Sequence, residues 1–327
     1  MSSLAEYLPL RGVASNIETS QVIEFPALTL SGSITALVTP FGLRDGALDL
    51  EACGRLIDAQ LAGGTRAIVM AGSTGEAAAL DDAEFATLLE FATTRIGRRI
   101  PVLAGTGLPA TKKTIAQTRR ARDAGVDFAL VVAPAYVRPT QEGMYRHYSE
   151  VAEHGGLPVV LYNVPTRTAC DLLPETVARL AGHGNIVGIK EARAEPERMQ
   201  ALLALQSASF RVLSGDDPTA MRAMLAGAAG VISVVSNVAP AEFAALHERC
   251  AAHDADGARA IDARLHALYE FLGVEPNPIP VKWCLSELGF GTPAMRLPLV
   301  PLSAAHHAKG REILRALGLV EAKRAVG

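Results

Sequence analysis

Short apolar runs alternate with amphipathic segments from residue 32 onward, and this alternation limits the folds open to the chain. Most of the short runs are apolar at every position, as parallel strands buried on both faces are. The segments between them repeat apolar residues at three- and four-residue spacing, which predicts helices that pack on a sheet. The predicted strands are Ser33–Val38, Ala67–Met70, Pro101–Ala104, Phe128–Val132, Val159–Tyr162, Ile186–Lys190, Arg211–Ser214 and Val231–Val235.

These strand–helix units predict an α/β fold, a closed (β/α)8 TIM barrel, although a doubly wound open sheet uses the same alternation. We favour the barrel because no strand leads into the GxGxxG turn of a dinucleotide site. After the last strand the pattern is helical only, and the prolines of Glu275–Val281 indicate an ordered turn that excludes a regular helix. The predicted helices there are Ala241–Ala252, Gly257–Leu272 and Val281–Leu288.

The same pattern divides the chain into three parts. Residues 1–31 show no periodicity and are predicted to be an extension, disordered or docked on a partner. Residues 32–238 form the predicted barrel, and residues 239–327 form a C-terminal helical region.

Composition favours small-molecule chemistry in the cytoplasm. A net charge of −3, with 20% charged and 49% hydrophobic residues, is typical of a globular protein and gives no electrostatic reason to expect nucleic acid or membrane as a partner. The four cysteines form no CxxC pair, so we interpret them as reduced and structural. The first residues lack the apolar core of a signal peptide, and a cytoplasmic location is the resulting expectation.

Lys190 closes the sixth predicted strand, where the active site of a TIM barrel is built. An amine at the mouth of an apolar barrel is poorly solvated, which disfavours the ammonium form. A neutral amine is what Schiff-base chemistry requires. The alternative interpretation is a lysine that extends to solvent and pairs with Glu191.

Two further side chains at this end are candidates for the same chemistry. Tyr162 closes the fifth strand, and its phenol can exchange protons with an imine on a neighbouring lysine, although a core aromatic residue explains it equally well. Arg167, in the loop that follows, suits bidentate binding of a carboxylate or an ordinary surface ion pair.

Two loops complete the set of candidates. The N–H and hydroxyl groups of Gly72–Glu76 could all bind the carboxylate of a 2-oxo acid, although plain turns use the same residues. Gly215–Pro218 indicates mainly a helix cap. No histidines form an HxH or HExxH set, which disfavours a metal-dependent aldolase.

A series of segments between Gly32 and about Leu317 matches a known group in order. They are GSITALVTPF, GSTGEAAAL, LAGTG, APAYVRPTQEGMYRHY, LPVVLYNVPTRTACDLLPETV, NIVGIKEA, LSGDD, GVISVVSNVAP, EPNPIPVKW and RLPLVPLS. Together they resemble the dihydrodipicolinate synthase and N-acetylneuraminate lyase superfamily of class I aldolases. YNVPTRT and NPIPVKW favour the synthase branch over the lyase branch.

The resemblance implies a catalytic role for four residues. Lys190 resembles the Schiff-base lysine, and Tyr162 resembles the tyrosine that exchanges protons with bound pyruvate. Ser73, where the synthases usually have threonine, would relay protons from Tyr162. Tyr136 would complete the relay from the adjacent subunit, so the resemblance implies at least a dimer and suggests a tetramer.

The resemblance also implies a substrate contact for three residues. Thr74 resembles the contact to the pyruvate carboxylate, Ile232 the residue whose backbone carbonyl faces the site, and Arg167 the arginine that holds the carboxylate of aspartate semialdehyde. The implied reaction condenses pyruvate with L-aspartate 4-semialdehyde to 4-hydroxy-tetrahydrodipicolinate for lysine biosynthesis. It needs neither metal nor organic cofactor.

The chain departs from this family where lysine-inhibited members bind their effector. Pro109, Lys113 and Ala135 stand where those members have an Asn, a Glu and a Tyr. A lysine ammonium would lose its acidic partner and meet a like charge, so we expect weak or absent feedback. Val137 and Ala169 also depart from the usual residues.

Two other functions remain open from the sequence. A paralogue would use the same imine chemistry on a sugar acid, as aldolase or dehydratase, or on a cyclic hydroxyproline derivative, as deaminase. Retention of Arg167 argues against it. A non-catalytic barrel that senses or scaffolds a 2-oxo acid is the alternative outside the enzymes, but it has no physical need for the full set of candidate residues.

Overall fold

Eight parallel strands close into a barrel in the order of the sequence. The computed structural model describes residues 30–320, so nearly all of the predicted extension 1–31 lies outside the described residues. Pairing of the first strand with the eighth closes the sheet, which confirms the barrel and rules out the open sheet. The strands are β1 (Gly32–Ala36), β2 (Ala67–Met70), β3 (Val102–Gly105), β4 (Phe128–Val132), β5 (Val159–Asn163), β6 (Ile186–Glu191), β7 (Arg211–Ser214) and β8 (Gly230–Ser233).

Both faces of the barrel wall are buried, which explains why the strands are apolar at consecutive positions. Ile34, Val69 and Leu130 belong to the inner cluster that fills the barrel. Their neighbours Ile68 and Val131 belong to the outer cluster that packs beneath the helices. Alternate side chains of one strand therefore serve two cores.

Helices follow the strands and surround the barrel. The α-helices are α1 (Leu50–Ala62), α2 (Asp82–Ile96), α3 (Thr111–Asp123), α4 (Gln141–His154), α5 (Pro165–Thr168), α6 (Pro174–Leu180), α7 (Pro196–Leu203), α8 (Asp217–Leu225), α9 (Pro240–Ala251), α10 (Ala255–Leu272), α11 (Ile279–Glu287) and α12 (His307–Ala316). The short α5 belongs to the loop after β5. Helix α9 packs on β1 and α1, so the C-terminal region counted from residue 239 begins with a helix of the ring.

The C-terminal segment differs from the prediction in two ways. Helix α11 begins at Ile279 and includes Pro280 in its first turn, so the prolines do not exclude a helix up to residue 281. Proline is tolerated there because the first N–H groups of a helix have no partner within it. Helix α12 was not predicted; it packs through Ile313 and Leu314, and Gly310 lets it approach the ring of Trp283.

Within residues 30–320, no helix combines the length and the apolar character needed to cross a bilayer.

Candidate active site

Tyr162 and Lys190 lie side by side at the C-terminal end of the barrel as register partners on β5 and β6. Val159 pairs with Ile186 but Val160 pairs with Gly188, so β6 carries one extra residue, Val187. Such a bulge shifts the alternation of the strand by one position. Lys190 consequently shares the inner face with Tyr162.

The Lys190 amine is buried against the Tyr162 ring. Lys190 is 5% exposed and Tyr162 is 8% exposed. The Lys190 Nζ lies 4.3 Å from the centre of the Tyr162 ring. This is contact distance for an amine above an aromatic face. The nitrogen therefore neither points into bulk water nor lies far from the tyrosine with which sequence reasoning paired it.

Glu191 does not pair with Lys190, so that alternative interpretation was wrong. Its carboxylate lies on the opposite face of β6, fully buried. It accepts hydrogen bonds from Asn163 Nδ2 (3.1 Å), the backbone N–H of Arg193 (2.8 Å) and Arg198 Nε (2.8 Å). Burial raises the pKa of this carboxyl, and the nearby Arg198 guanidinium lowers it in part.

Asp171 extends this group of charges and ties it to the loop after β5. Asn163 Nδ2 donates to Asp171 Oδ1 (2.8 Å), and Arg193 and Arg198 donate to Asp171 Oδ2 (2.7 and 3.1 Å). The five residues Asn163, Asp171, Glu191, Arg193 and Arg198 are called the strand-end network below. Asn163 and Glu191 directly follow Tyr162 and Lys190, so the network fixes the ends of both strands relative to each other.

The loop after β7 packs directly on the lysine side chain. A Cβ atom at Gly215 would lie 2.9 Å from both Cγ and Cε of Lys190, closer than side chains pack. The sequence indicated a helix cap at Gly215–Pro218, but the Asp216 side chain at the N-cap position accepts no hydrogen bond from a backbone N–H of α8. Asp217 instead binds the next loop. Its Oδ2 accepts from the backbone N–H groups of Val234 and Val235, 2.9 Å each, and holds the loop after β8. Burial raises its pKa, and the nearby Lys190 opposes that rise.

The Gly72–Glu76 loop lines the cavity on one side and contacts the C-terminal region on the other. Ser73 is exposed on the cavity wall, whereas Thr74 is buried and its Oγ1 accepts a hydrogen bond from Asn277 Nδ2 at 3.0 Å. The carbonyl of Asn277 in turn accepts from the Arg167 guanidinium at 3.0 Å. Asn277 therefore joins the loop to the candidate carboxylate-binding arginine.

These groups surround a cavity of about 540 Å³, large enough for two small acids. Ser73, Tyr162, Arg167 and Asn277 line it. Lys190 does not line it directly but contacts the Tyr162 ring, which does. Ile232 is fully buried on β8, where it pairs with Ile34.

Tyr136 is the one predicted site residue that projects from the surface of the single chain. It is 91% exposed, and its backbone takes a left-handed φ of 72°. Its N–H donates to the Thr168 carbonyl at 3.2 Å, which anchors the backbone next to Arg167. Tyr136 is not among the residues that line the cavity of its own chain.

Two of the three departures predicted to weaken lysine binding line the cavity. They are Pro109 and Ala135, and Ala77, Ala78 and Leu108 line the same cavity. Lys113 is exposed in the first turn of α3. In residues 30–320, no three or more His, Cys, Asp or Glu side chains come together as metal ligands would.

Comparison with known proteins decides the family. The model of the dihydrodipicolinate synthetase family matches residues 29–317, which is most of the chain. The chain belongs to this family. The resemblance found in the sequence is thereby confirmed.

Members of the family resemble the chain over nearly their full length. The 4-hydroxy-tetrahydrodipicolinate synthase of Xanthomonas axonopodis pv. citri is 62% identical over 279 residues, 85% of this chain and 92% of that protein. The chloride-inhibited dihydrodipicolinate synthase of Acinetobacter baumannii, solved with pyruvate, is 41% identical with a TM-score of 0.87, covering 89% of this chain and all of that one. A monomeric dihydrodipicolinate synthase variant is 39% identical with a TM-score of 0.86, over 89% and 97% of the two chains.

Sequence reasoning missed the residues that support this family site from a distance. Asn277 and Lys282 were not singled out because their partners are 203 and 206 positions away. Asn163 and Arg198 have partners only 8 and 7 positions away, but nothing in the sequence marked those pairs. One signal was available. Lys282 is a single charge in the apolar helix IPVKWCL, where an unpaired charge is too costly to bury.

Proposed function

We propose that this chain is a 4-hydroxy-tetrahydrodipicolinate synthase, which condenses pyruvate with L-aspartate 4-semialdehyde in lysine biosynthesis. The observation that carries the proposal is the buried Lys190 amine 4.3 Å from the centre of the Tyr162 ring, at the end of the barrel. High identity to a protein of that name supports the choice of reaction. It also disfavours the sugar-acid paralogue and the non-catalytic barrel.

In the first half-reaction, Lys190 would attack the ketone carbon of pyruvate. The carbinolamine so formed loses water to give an imine, whose positive charge withdraws electrons from the pyruvate methyl group. Tyr162 is adjacent to the amine and would carry the protons of these steps. Ser73 and Thr74 supply hydroxyl groups for the proton relay and for the pyruvate carboxylate, respectively.

In the second half-reaction, the enamine carbon formed by loss of a methyl proton would attack the aldehyde of the second substrate. Arg167, at the cavity wall, would hold the carboxylate of that substrate by charge-assisted hydrogen bonds. The amino group of the semialdehyde then attacks the imine carbon, closes the ring and releases Lys190. All bonds are made by groups of the substrates and Lys190, so the proposal includes neither a metal nor an organic cofactor.

The proposal also includes a cytoplasmic location and an oligomer, at least a dimer and more specifically a tetramer. Four buried, unpaired cysteines suit a reducing compartment. The 91% exposure of Tyr136 and the 82% exposure of Leu297 suit burial by a second subunit.

The test of the proposed chemistry is trapping of the imine. Borohydride reduction in the presence of pyruvate should add the mass of a reduced pyruvate adduct to the peptide that contains Lys190. The Lys190→Arg variant, which keeps the charge, should give no adduct. A coupled assay with aspartate semialdehyde against a panel of aldehydes and sugar acids then identifies the second substrate. An unmodified Lys190 peptide at saturating pyruvate would overturn the proposal.

Weak or absent lysine feedback is part of the same proposal. Pro109 and Ala135, which line the cavity, offer a lysine ammonium no side-chain carboxylate, and Lys113 on α3 adds a like charge. We expect the rate of condensation to stay unchanged as lysine is added. Inhibition by micromolar lysine would contradict this expectation.

A further inference from the structure

A fully buried ion pair joins the C-terminal region to the Gly72–Glu76 loop. Lys282 Nζ on α11 lies 2.6 Å from Glu76 Oε1, and the two side chains are 2% and 1% exposed. The ammonium also lies 4.3 Å from the centre of the Phe41 ring. Two charges are expensive to remove from water, so their pairing here calls for a reason beyond packing.

Glu76 is the point where the backbone of this loop is held. It takes a left-handed φ of 53°, which is unfavourable for a residue with a side chain. Its second carboxylate oxygen accepts from the backbone N–H of Arg296 at 3.3 Å. The carboxylate is therefore bound from two separate segments of the C-terminal region, and both bonds hold the loop in this conformation.

Ser73 and Thr74, the two hydroxyl residues of the loop, precede Glu76 by three and two positions. Ser73 lines the cavity. Thr74 is bound from the same side, by Asn277, two residues before α11. Gly75 packs closely on the residue that follows β1, because a Cβ atom there would lie 3.1 Å from the Leu37 carbonyl. The loop and the C-terminal region are thus joined by three links, at Asn277, Lys282 and Arg296.

We propose that Glu76 and Lys282 are positioning residues, whose ion pair fixes the Ser73 and Thr74 hydroxyls for the carboxylate of a 2-oxo acid. The proposal rests on the proposed function, because it assigns the loop to pyruvate. It explains why a C-terminal region outside the ring of barrel helices is joined to the mouth of the barrel. It predicts an effect on pyruvate affinity that exceeds the effect on the chemistry at Lys190.

The experiment measures imine formation by borohydride trapping over a series of pyruvate concentrations. Lys282→Met removes the ammonium and keeps the length of the side chain. Glu76→Gln/Lys282→Met also removes the carboxylate, so it leaves no unpaired buried charge and protects the test against misfolding. In both variants we expect the half-saturating pyruvate concentration to rise about tenfold, while the trapped fraction at saturation stays close to that of the parent.

Leu314→Ala is the matched control. It removes a buried side chain of α12 and destabilises the same C-terminal region without touching the loop. Its melting temperature should fall, while its half-saturating pyruvate concentration stays within about twofold of the parent. The inference is overturned if the double variant also stays within that range, or if Leu314→Ala weakens pyruvate equally. If the parent enzyme is not trapped at all, the proposed function itself fails.

Discussion

At the scale of single residues, the candidate site depends on how closely the chain approaches Lys190. The Tyr162 ring covers the amine, and the Gly215 backbone lies against the methylene chain of the lysine. A glycine is required at position 215 because any side chain would occupy the space of the lysine. The direction of the amine is therefore set by packing, as well as by the strand that carries it.

Gly215→Ala tests this dependence. The added methyl group would meet Lys190 Cγ and Cε at 2.9 Å and displace the amine from the Tyr162 ring. We expect kcat/KM for pyruvate to fall about 10²-fold, the effect of misplacing a catalytic group by roughly 1 Å. Gly184→Ala is the control, since a Cβ atom there meets nothing within 4 Å. Equal activity of both variants would show that the lysine position tolerates the shift.

At the scale of elements, the ends of β5 and β6 are joined by the strand-end network. Glu191 is fully buried and Arg198 is 8% exposed, so their ion pair is shielded from water. The same guanidinium reaches Asp171 in the loop after β5. Charges that lie beneath the active site thereby hold Tyr162 and Lys190 in register without facing the substrate.

Arg198→Met tests the contribution of this network to stability. It leaves the buried Glu191 carboxylate without its guanidinium, which we expect to lower the free energy of unfolding by about 3 kcal/mol in urea titrations. Arg193→Met removes a side chain that is 36% exposed and also binds Asp171. Its cost should be about 1 kcal/mol or less. Similar values for the two variants would contradict the special role of the buried pair.

The elements show what a sequence can and cannot reveal. The strands were predictable because a wall buried on both faces needs uninterrupted apolar residues, and each predicted strand overlaps an observed one. The bulge at Val187 was not, because its residues fit a regular strand equally well. Nor was the bond between Asn277 and Thr74, which are 203 positions apart and meet only in the complete fold.

The site residues divide in the same way. Lys190, Tyr162 and Arg167 could be found because active-site groups of a TIM barrel lie at the C-terminal strand ends and in the loops that follow them. The alternative interpretation paired Glu191 with Lys190 and was wrong, since the sequence does not say on which face of β6 Glu191 lies. Its true partner, Arg198, comes from the following helix and had no signal of its own.

At the scale of the whole molecule, stability should depend on pH through His147. Burial lowers the pKa of this imidazole to about 4. Its Nδ1 lies 3.0 Å from the Thr111 hydroxyl, and its buried Nε2 has no hydrogen-bond partner among the described residues. In the unfolded chain the imidazole has its ordinary pKa of about 6.5, so below that pH it is protonated in the unfolded chain but still neutral in the folded one. The contribution of the neutral imidazole to the free energy of unfolding is therefore fully present above pH 6.5 and is lost as the pH falls toward 4.

The His147→Asn variant measures this pH-dependent contribution, because asparagine does not titrate and can still form a hydrogen bond with Thr111. Between pH 7.5 and pH 5, the parent should lose about 2 kcal/mol more unfolding free energy than the variant in urea titrations. Glu191 and Asp217 have raised pKa values and act in the opposite direction. They are present in both proteins, so the difference isolates His147. Parallel pH profiles would show that the imidazole is protonated in the fold.

We expect the active site to be completed by a second copy of the chain. Tyr136 is exposed and is not among the residues that line the cavity of its own chain, so we expect Lys190→Ala and Tyr136→Phe to inactivate different halves of a shared site. Each variant alone should keep less than about 1% of the parent activity. Coexpressed in equal amounts, they should recover about a quarter, because half of the dimers are mixed and each mixed dimer has one intact site. Activity equal to the mean of the two variants would mean that Tyr136 does not act across the interface.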